Sequence, residues 1–451
     1  MMKTRYIVAV AAVLSFCGCG LLNKYENKAE APVGLYGYDE VLSQAVDTVS
    51  IADISWREFF TDPLLRNLID SALVRNTDLK NATLVMNEAD ELLKASKLNF
   101  LPSLSFNPSI SYNGNASYTL PFSLEWSTPG FGSLTNSKRE AMALALQAAD
   151  NEQAVRSRLV ADIAAAYFQL QMLDRQLEIM KATEIVWADV LETQRALMEN
   201  GKAYSTSVHQ MEASLMGIKI QKLDAEQAVV DAEYAICLML ADTPHSIERS
   251  AWDAGSIVQR INSGFPAQIL DRRPDVRAAG RQVEAAYYVN KKALAAMFPS
   301  ITLSGLLGWT NGGVKIADPI QLIYNAVASL AQPIFARGQL MAQYKVTRMK
   351  QEEAANLYAQ TVLQAGNDVN SALRSCQNCL AKYELHATQV GKLRQTQAGT
   401  IELLKNGKAT YLEVLMAQDA LLKAEINEVY NMFDGRQSLI DLYWSLGGGA
   451  Q

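Results

Sequence analysis

The amino-acid sequence repeats itself within one chain. Asn200-Gly201-Lys202-Ala203 returns as Asn406-Gly407-Lys408-Ala409, 206 positions later. Asp78 stands 24 residues before Pro102, and Asp275 stands 24 residues before Pro299. Each proline opens a similar stretch, Leu101-Pro102-Ser103-Leu104 and Phe298-Pro299-Ser300-Ile301. Both halves therefore run in one order: short helix, strand pair, very long helix, Asn-Gly break, return helix. The offset drifts from 197 to 206, so about nine extra residues fall in the second strand pair. A repeat of this period sets the architecture before any local pattern does. A duplicated unit that cannot close alone usually completes a symmetric assembly.

The strand pairs are set apart by charge. Between Leu98 and Ser137 there is no lysine or arginine, and Glu125 is the only charge. Leu104, Phe106, Ile110 and Tyr112 fall on one parity, and Ser103, Ser105, Asn107, Ser109, Ser111 and Asn113 on the other. After a turn at Asn113-Gly114-Asn115, Leu120, Phe122, Leu124 and Trp126 resume the apolar face. In the second copy Ile301, Leu303, Leu307 and Trp309 alternate with Thr302, Ser304 and Thr310. A Gly312-Gly313 loop with Lys315 and Asp318 leads to Ile320, Leu322, Tyr324, Ala326 and Ala328. Period-two alternation flanked by turn residues predicts strand hairpins. A soluble sheet would turn its apolar side to a core, whereas a membrane barrel would turn it to lipid around a wet lumen. Charge depletion, with aromatics near the strand ends, favours the barrel. Four strands cannot close, since the smallest outer-membrane barrels have about eight. Three chains would supply twelve.

The long helices carry heptad stripes. Leu159, Ile163, Ala166, Leu170, Leu173, Leu177, Met180, Trp187 and Leu191 form the first, with Glu184 as an exception. Adding 206 gives Ala365, Val369, Ala372, Cys376, Cys379, Tyr383, His386, Val390 and Leu393. Sixty helical residues span about 90 Å, and the return leg about 55 Å. The short helix before each strand pair, about 35 Å long, is expected to fill the difference by stacking on the return leg of the other half. Four helical columns per chain, and twelve for three chains, would continue a wall of strands as a tube.

The first residues read as an export signal. Lys3 and Arg5 precede an apolar run from Tyr6 to Phe16, then Cys17-Gly18-Cys19-Gly20. Small residues ending in cysteine resemble the lipobox of bacterial lipoproteins. Cleavage after Gly18 would leave Cys19 as a lipidated first residue, and Gly20 in second place does not argue for retention at the inner membrane. The expected organisation is a signal peptide over 1–18 and a lipidated extended segment over 19–55. A first repeat follows over 56–255, with strand hairpin 100–128 and helical hairpin 137–241. The second repeat covers 256–451, with strand hairpin 298–335 and helical hairpin 339–447. The formal net charge of −6 and the lack of a basic run argue against a nucleic-acid partner. No helical stretch is apolar enough to span a bilayer, so a crossing would use strands.

Several motifs in one order carry a family resemblance. They are Trp56-Arg57-Glu58-Phe59-Phe60-Thr61-Asp62-Pro63-Leu64, Asp271-Arg272-Arg273-Pro274-Asp275-Val276-Arg277-Ala278-Ala279, and Phe298-Pro299-Ser300-Ile301. Asn406-Gly407 followed by Tyr411-Leu412-Glu413-Val414-Leu415-Met416-Ala417-Gln418 is the last. Together they resemble the outer-membrane efflux proteins, the TolC-like channels, in their drug-efflux lipoprotein branch. The resemblance runs from about Trp56 to Gly448. It implies a mainly α chain whose homotrimer forms a twelve-stranded outer-membrane β-barrel continued by a periplasmic α-helical barrel. It also implies a periplasmic adaptor protein and an inner-membrane transporter as partners, outer-membrane lipid around the barrel, and no cofactor beyond the lipid on Cys19.

The resemblance places Gly201, Lys202, Gly407 and Lys408 at periplasmic tips that meet the adaptor. The plainer role of both glycines is a left-handed helix end, and the two roles coexist. At Glu413 the family can hold a lumen-facing acid near the closed end. Three copies would form a carboxylate ring that binds cations; the alternative is a solvated glutamate on a helix face. Met416 stands where the family often has an aspartate, so closure there would be by apolar contact. Cys376-Gln377-Asn378-Cys379 has the spacing of a redox or metal motif, yet both cysteines and His386 sit on the packing stripe. No nucleophile elbow, phosphate loop or carboxylate–histidine cluster appears, so no enzyme is expected. The expected function is passive conduction of small molecules as the outer-membrane component of a tripartite pump. A conduit for type I protein secretion, and a structural coiled-coil lipoprotein, are the alternatives. The substrate and the docking partners are not encoded legibly.

Overall fold

The computed structural model describes residues 22–26, 54–112, 116–252, 272–311 and 321–449. The signal segment, Cys19, the Asn113-Gly114-Asn115 turn and the loop carrying Gly312, Gly313, Lys315, Asp318 and Ile320 lie outside them. The chain is mainly helical. The helices are α1 (Trp56–Phe59), α2 (Pro63–Arg75), α3 (Thr77–Leu98), α4 (Ser133–Glu199), α5 (Ser205–Met239), α6 (Pro274–Ala295), α7 (Gln339–Lys405) and α8 (Tyr411–Ser445). The strands are β1 (Ser103–Phe106), β2 (Ser109–Tyr112), β3 (Ala116–Thr128), β4 (Ser300–Thr310) and β5 (Gln321–Ala331).

The duplication is visible element by element. α4 and α7 have 67 residues each, and α5 and α8 have 35 each. At 1.5 Å per residue the long pair reach about 100 Å. The compact units of the structure are not the two sequence repeats. One unit holds residues 82–152 and 275–362, which include every described strand; the other holds the remaining helical parts, and each repeat contributes to both.

In the strand-bearing unit the sheet order is β1-β3-β4-β5, all antiparallel, with β2 also on β3. β1 and β2 act as one strand, since Phe106 opposite Phe122 and Ser109 opposite Thr119 keep a single register. The break between them has a local cause. Asn107 donates its N–H to the Pro121 carbonyl at 3.3 Å, but Pro121 has no N–H to return and Pro108 has none to offer.

Paired residues share a face. The register therefore gathers Leu104, Phe106, Ile110 and Tyr112 with Tyr118, Leu120, Phe122, Leu124 and Trp126. It carries that face on to Leu303, Leu307 and Trp309, then to Leu322, Tyr324 and Leu330. Phe106 stacks on Phe122 at 4.7 Å, and Phe122 meets Trp309 edge-on at 6.4 Å. Among the described residues little covers this face: Ile110 is 82% exposed, Tyr324 81% and Leu104 69%. Serines, threonines, Asn325 and Glu125 dominate the opposite face, with Leu306, Ile323 and Val327 as apolar exceptions.

In the other unit a core cluster joins Trp56, Phe59, Phe60, Leu65 and Ile69 to Ile163, Tyr167, Leu170, Tyr443 and Leu446. Asp62 caps α2 by accepting from the Leu64 amide at 2.9 Å, and its other oxygen accepts from the Tyr167 hydroxyl at 2.6 Å. The stripe residues Leu159, Ile163, Leu170, Trp187 and Leu191 are buried, as are Ala365, Val369, Cys376 and Val390. Glu184, the exception in the stripe, takes an ion pair from Lys222 of α5 at 2.7 Å.

The expected stacking of each short helix on the other half's return leg is not what the fold does. Asn76, just before α3, donates its side-chain amide to the Met239 carbonyl at the end of α5, in its own half. Arg273, 197 residues later, does the same for the Ser445 carbonyl at the end of α8. Helix lengths alone satisfy either pairing. The end carbonyls of each return leg decide it, because they need donors and find them on the next-nearest segment of the same repeat.

All four long helices end in the same cap. The N–H of the third residue past the end reaches back to the third-last helical carbonyl: Lys202 to Leu197, Asp242 to Cys237, Lys408 to Leu403 and Gly448 to Tyr443. The residue before it is left-handed, with φ of 70° at Gly201, 67° at Gly407, 85° at Gly447 and 51° at Ala241. Ala241 is the one member with a Cβ, in a conformation that disfavours it. Ala241→Gly is expected to raise stability by about 1 kcal/mol, read as a higher denaturant midpoint with unchanged slope. Gly447→Ala is expected to lower it, since its Cβ would lie 3.1 Å from the Arg272 backbone.

Candidate functional site

The two helix reversals are built alike up to their glycines and differently after them. Asn200 and Asn406 each bond a carbonyl four residues back, Ala196 at 2.7 Å and Glu402 at 2.9 Å. Gly201, Lys202, Gly407 and Lys408 are all exposed, and a Cβ on either glycine would meet nothing within 4 Å. The four residues therefore form two open surface turns whose shape is set by backbone, not by packing.

After the second turn Thr410 and Glu413 form a reciprocal capping box. The Glu413 carboxylate accepts from the Thr410 amide at 2.8 Å, and the Thr410 hydroxyl accepts from the Glu413 amide at 3.4 Å. Glu413 is thus exposed but not idle: its charge sits at the positive end of α8. Met416, one turn on, is 64% exposed, and Leu412 52%. After the first turn no side chain caps α5, and Ser207 stands where the second tip has Glu413. Ser207 is buried, donates to the Tyr204 carbonyl at 2.6 Å and accepts from Gln194 at 2.8 Å. Tyr204 itself is 84% exposed. Sequence reasoning passed over it, although a tyrosine in the place of Thr410 is an unusual helix start.

Ion pairs hold the hairpins near these turns. Arg195 meets Glu212 at 2.5 Å in the first, and Arg394 meets Glu425 at 2.7 Å in the second. Lys405 and Asp189, 3.6 Å apart, join one hairpin to the other. Deeper, Arg249 is held by Asp174 at 2.5 Å and by Glu233, which keeps its guanidinium protonated.

The Cys376/Cys379 pair is unbonded, and burial pushes the Cys376 thiol up to about 12. The structure places Cys376 in the core against Val369 and Ala372, far from thiolate chemistry. Among the described residues no group of three or more His, Cys, Asp or Glu is arranged for a metal ion. Arg273 of the Arg-Arg-Pro-Asp segment is buried, paired with Asp368 at 3.1 Å and seated on the Trp444 ring at 4.8 Å. Its neighbour along α6, Arg277, meets Asp150 at 2.8 Å. Both build the scaffold.

The profile of a family described as outer membrane efflux protein matches residues 68–241 and 265–448. Cation efflux system protein CusC of Escherichia coli K12 is 25% identical over 98% of this chain and 99% of its own length. A solved structure of CusC superposes with a TM-score of 0.83 over 95% of this chain and 99% of that one, at 23% identity. The probable outer membrane lipoprotein SilC of Salmonella typhimurium is 24% identical over 98% of both chains. The toluene efflux pump outer membrane protein TtgF of Pseudomonas putida is 24% identical, covering 99% of this chain and 97% of its own.

The capping box makes Glu413→Ala a double change, removing both charge and cap. Hydrogen exchange in the first turn of α8 is expected to quicken by the equivalent of about 1 kcal/mol in Glu413→Ala. Glu413→Gln keeps an acceptor for the Thr410 amide and is expected to exchange at close to the wild-type rate.

Proposed function

The chain belongs to the outer membrane efflux protein family, and from that premise we propose that it is the outer-membrane channel of a tripartite efflux pump. The observation that carries this is the sheet, which among the described residues has one exposed apolar face, one polar face and two open edges. In lipid, open edges leave backbone groups unsatisfied. Three copies of four strands close them into a twelve-stranded barrel, apolar side outward. The serine-rich face with Glu125 then lines a wet lumen. A structural coiled-coil lipoprotein has no use for such a face, and CusC and TtgF are named for efflux.

The finer reading follows the resemblance. Cys19 carries the lipid, as befits a relative named an outer membrane lipoprotein. The turns at Gly201, Lys202, Gly407 and Lys408 meet a periplasmic adaptor, which couples the channel to an inner-membrane transporter. Glu413 and Met416 ring the periplasmic aperture, the first as a carboxylate ring and the second as an apolar seal. Conduction is passive and the transporter supplies the energy. Cargo is small molecules; the relatives' names run from cations to toluene, which fits a conduit that leaves selection to its pump.

Single-particle imaging of the detergent-extracted protein tests the reading: a three-fold particle with a barrel is expected, and a slender monomeric rod would overturn it. Gly407→Trp is expected to leave trimers intact and abolish efflux in a resistance assay; normal resistance would move the docking surface elsewhere. Glu413→Gln, which spares the cap, is expected to lower cation preference in single-channel records. Unchanged records would remove Glu413 from the aperture.

A further inference from the structure

We infer that the cleft between α6 and α7 beside the sheet binds the phosphodiester headgroup of an anionic phospholipid. This rests on the outer-membrane reading above, which supplies the lipid. The cleft has a volume of about 360 Å3 and is lined by Tyr287, Asn290 and Lys291 of α6 and by Tyr344, Arg348 and Glu352 of α7. Lys291 lies nine residues before β4, and Tyr344 thirteen residues after β5. Within the helices Lys291 is four residues from the end of α6 and Tyr344 five residues from the start of α7, about 6–8 Å of helix, a level at which long basic side chains reach headgroups.

The chemistry of the lining fits a phosphate. The Lys291 ammonium sits over the Tyr287 ring at 5.2 Å. Arg348 pairs with Glu352 at 3.4 Å, with both side chains 67% exposed. An ion pair so exposed contributes little, so the guanidinium can exchange a carboxylate for a phosphate, which it binds in the same forked geometry. Asn290 bonds Gln351 across the cleft at 3.2 Å and ties the two helices together.

Two independent observations set this level at the membrane surface. Charge is the first. The fourteen residues nearest the sheet on each of α3, α4, α6 and α7 (85–98, 133–146, 282–295 and 339–352) hold nine Lys or Arg against six Asp or Glu. The whole chain holds 41 against 47, so basic charge is concentrated where anionic lipid would lie. The second is the N-terminal segment. Arg139 of α4 binds the Leu22 carbonyl at 2.8 Å, and the Tyr25 amide donates to the Tyr288 hydroxyl at 3.3 Å. Tyr25 also packs on Tyr287 at 5.6 Å. Leu22 follows Cys19 by three residues, a tether of about 11 Å at most, so a lipid on Cys19 and the cleft serve the same leaflet. Tyrosines clustered here match the aromatic girdle of a membrane interface.

Native mass spectrometry of the detergent-purified full chain, with phosphatidylglycerol, phosphatidylcholine or inorganic phosphate as probe, tests the inference. Phosphatidylglycerol is expected to stay bound in preference to phosphatidylcholine, and inorganic phosphate is expected neither to bind nor to displace it. The double variant Lys291→Gln/Arg348→Gln is expected to lose roughly 30-fold in phosphatidylglycerol affinity, while Lys291→Arg/Arg348→Lys keeps it. Equal retention of both lipids, full retention in the glutamine variant, or saturation by inorganic phosphate alone would each overturn the assignment. Channel conductance of the wild-type preparation is scored separately: its absence would count against the channel, and loss of lipid preference with normal conductance would count against the cleft alone.

Discussion

Every strand in the sheet needs a neighbour on each side for its backbone N–H and C=O groups, and the strand formed by β1 and β2, like β5, has a second neighbour nowhere among the described residues. The remaining architecture follows from that shortage. Bare edges invite pairing with another chain, and the bare apolar face of Ile110, Leu104 and Tyr324 invites lipid. A soluble fold would have covered one or the other with helix. Here the helices begin where the strands stop: α3 ends five residues before β1, and α4 begins five residues after β3.

The helical hairpins bury apolar clusters along their length, from Leu159 and Ile163 through Ile179 to Leu191 on α4 and from Val414 to Leu442 on α8. Their long members carry a stripe of buried small and apolar residues, and their ends are fixed by backbone geometry rather than side-chain bulk. The same left-handed cap is used four times, and the same donor solution twice, by Asn76 and Arg273. Duplication therefore preserved hydrogen-bond roles while the residue type changed. The tips show the converse. Their glycine turns are alike, yet one leads into a Thr410/Glu413 capping box and the other into an uncapped helix with a buried Ser207. The two turns present different surfaces, with Tyr204 exposed beside one and Leu412 and Met416 beside the other.

Much of this was legible in the sequence because it depends on period and parity. Alternation located the strands and the apolar face, and the 206-residue offset matched the long helices. What escaped depends on meetings between distant residues. The gap between β1 and β2 follows from Pro121 standing opposite Asn107, which no reading of one strand reveals. The short helices could not be assigned to their own half by length alone; the donor roles of Asn76 and Arg273 made the choice. The Glu413 cap is different, since Thr410-x-x-Glu413 spells the box in plain sequence. Lys222 beside Glu184 explains the one break in the stripe, and only the fold could bring α5 to it.

The central claim is that the apolar face of the sheet meets lipid and the other face meets water. Single cysteines at β4 positions from Thr302 to Leu307 and at Trp309, labelled with a fluorophore in reconstituted protein, test it most directly; Gly308 is left out because a Cβ there would lie 2.5 Å from the Leu120 carbonyl oxygen. Lipid-borne quenchers are expected to act at Leu303, Gly305, Leu307 and Trp309, and water-soluble quenchers at Thr302, Ser304 and Leu306. Quenching with no alternation, or water-soluble quenchers acting equally at every position, would contradict a barrel wall and with it the channel.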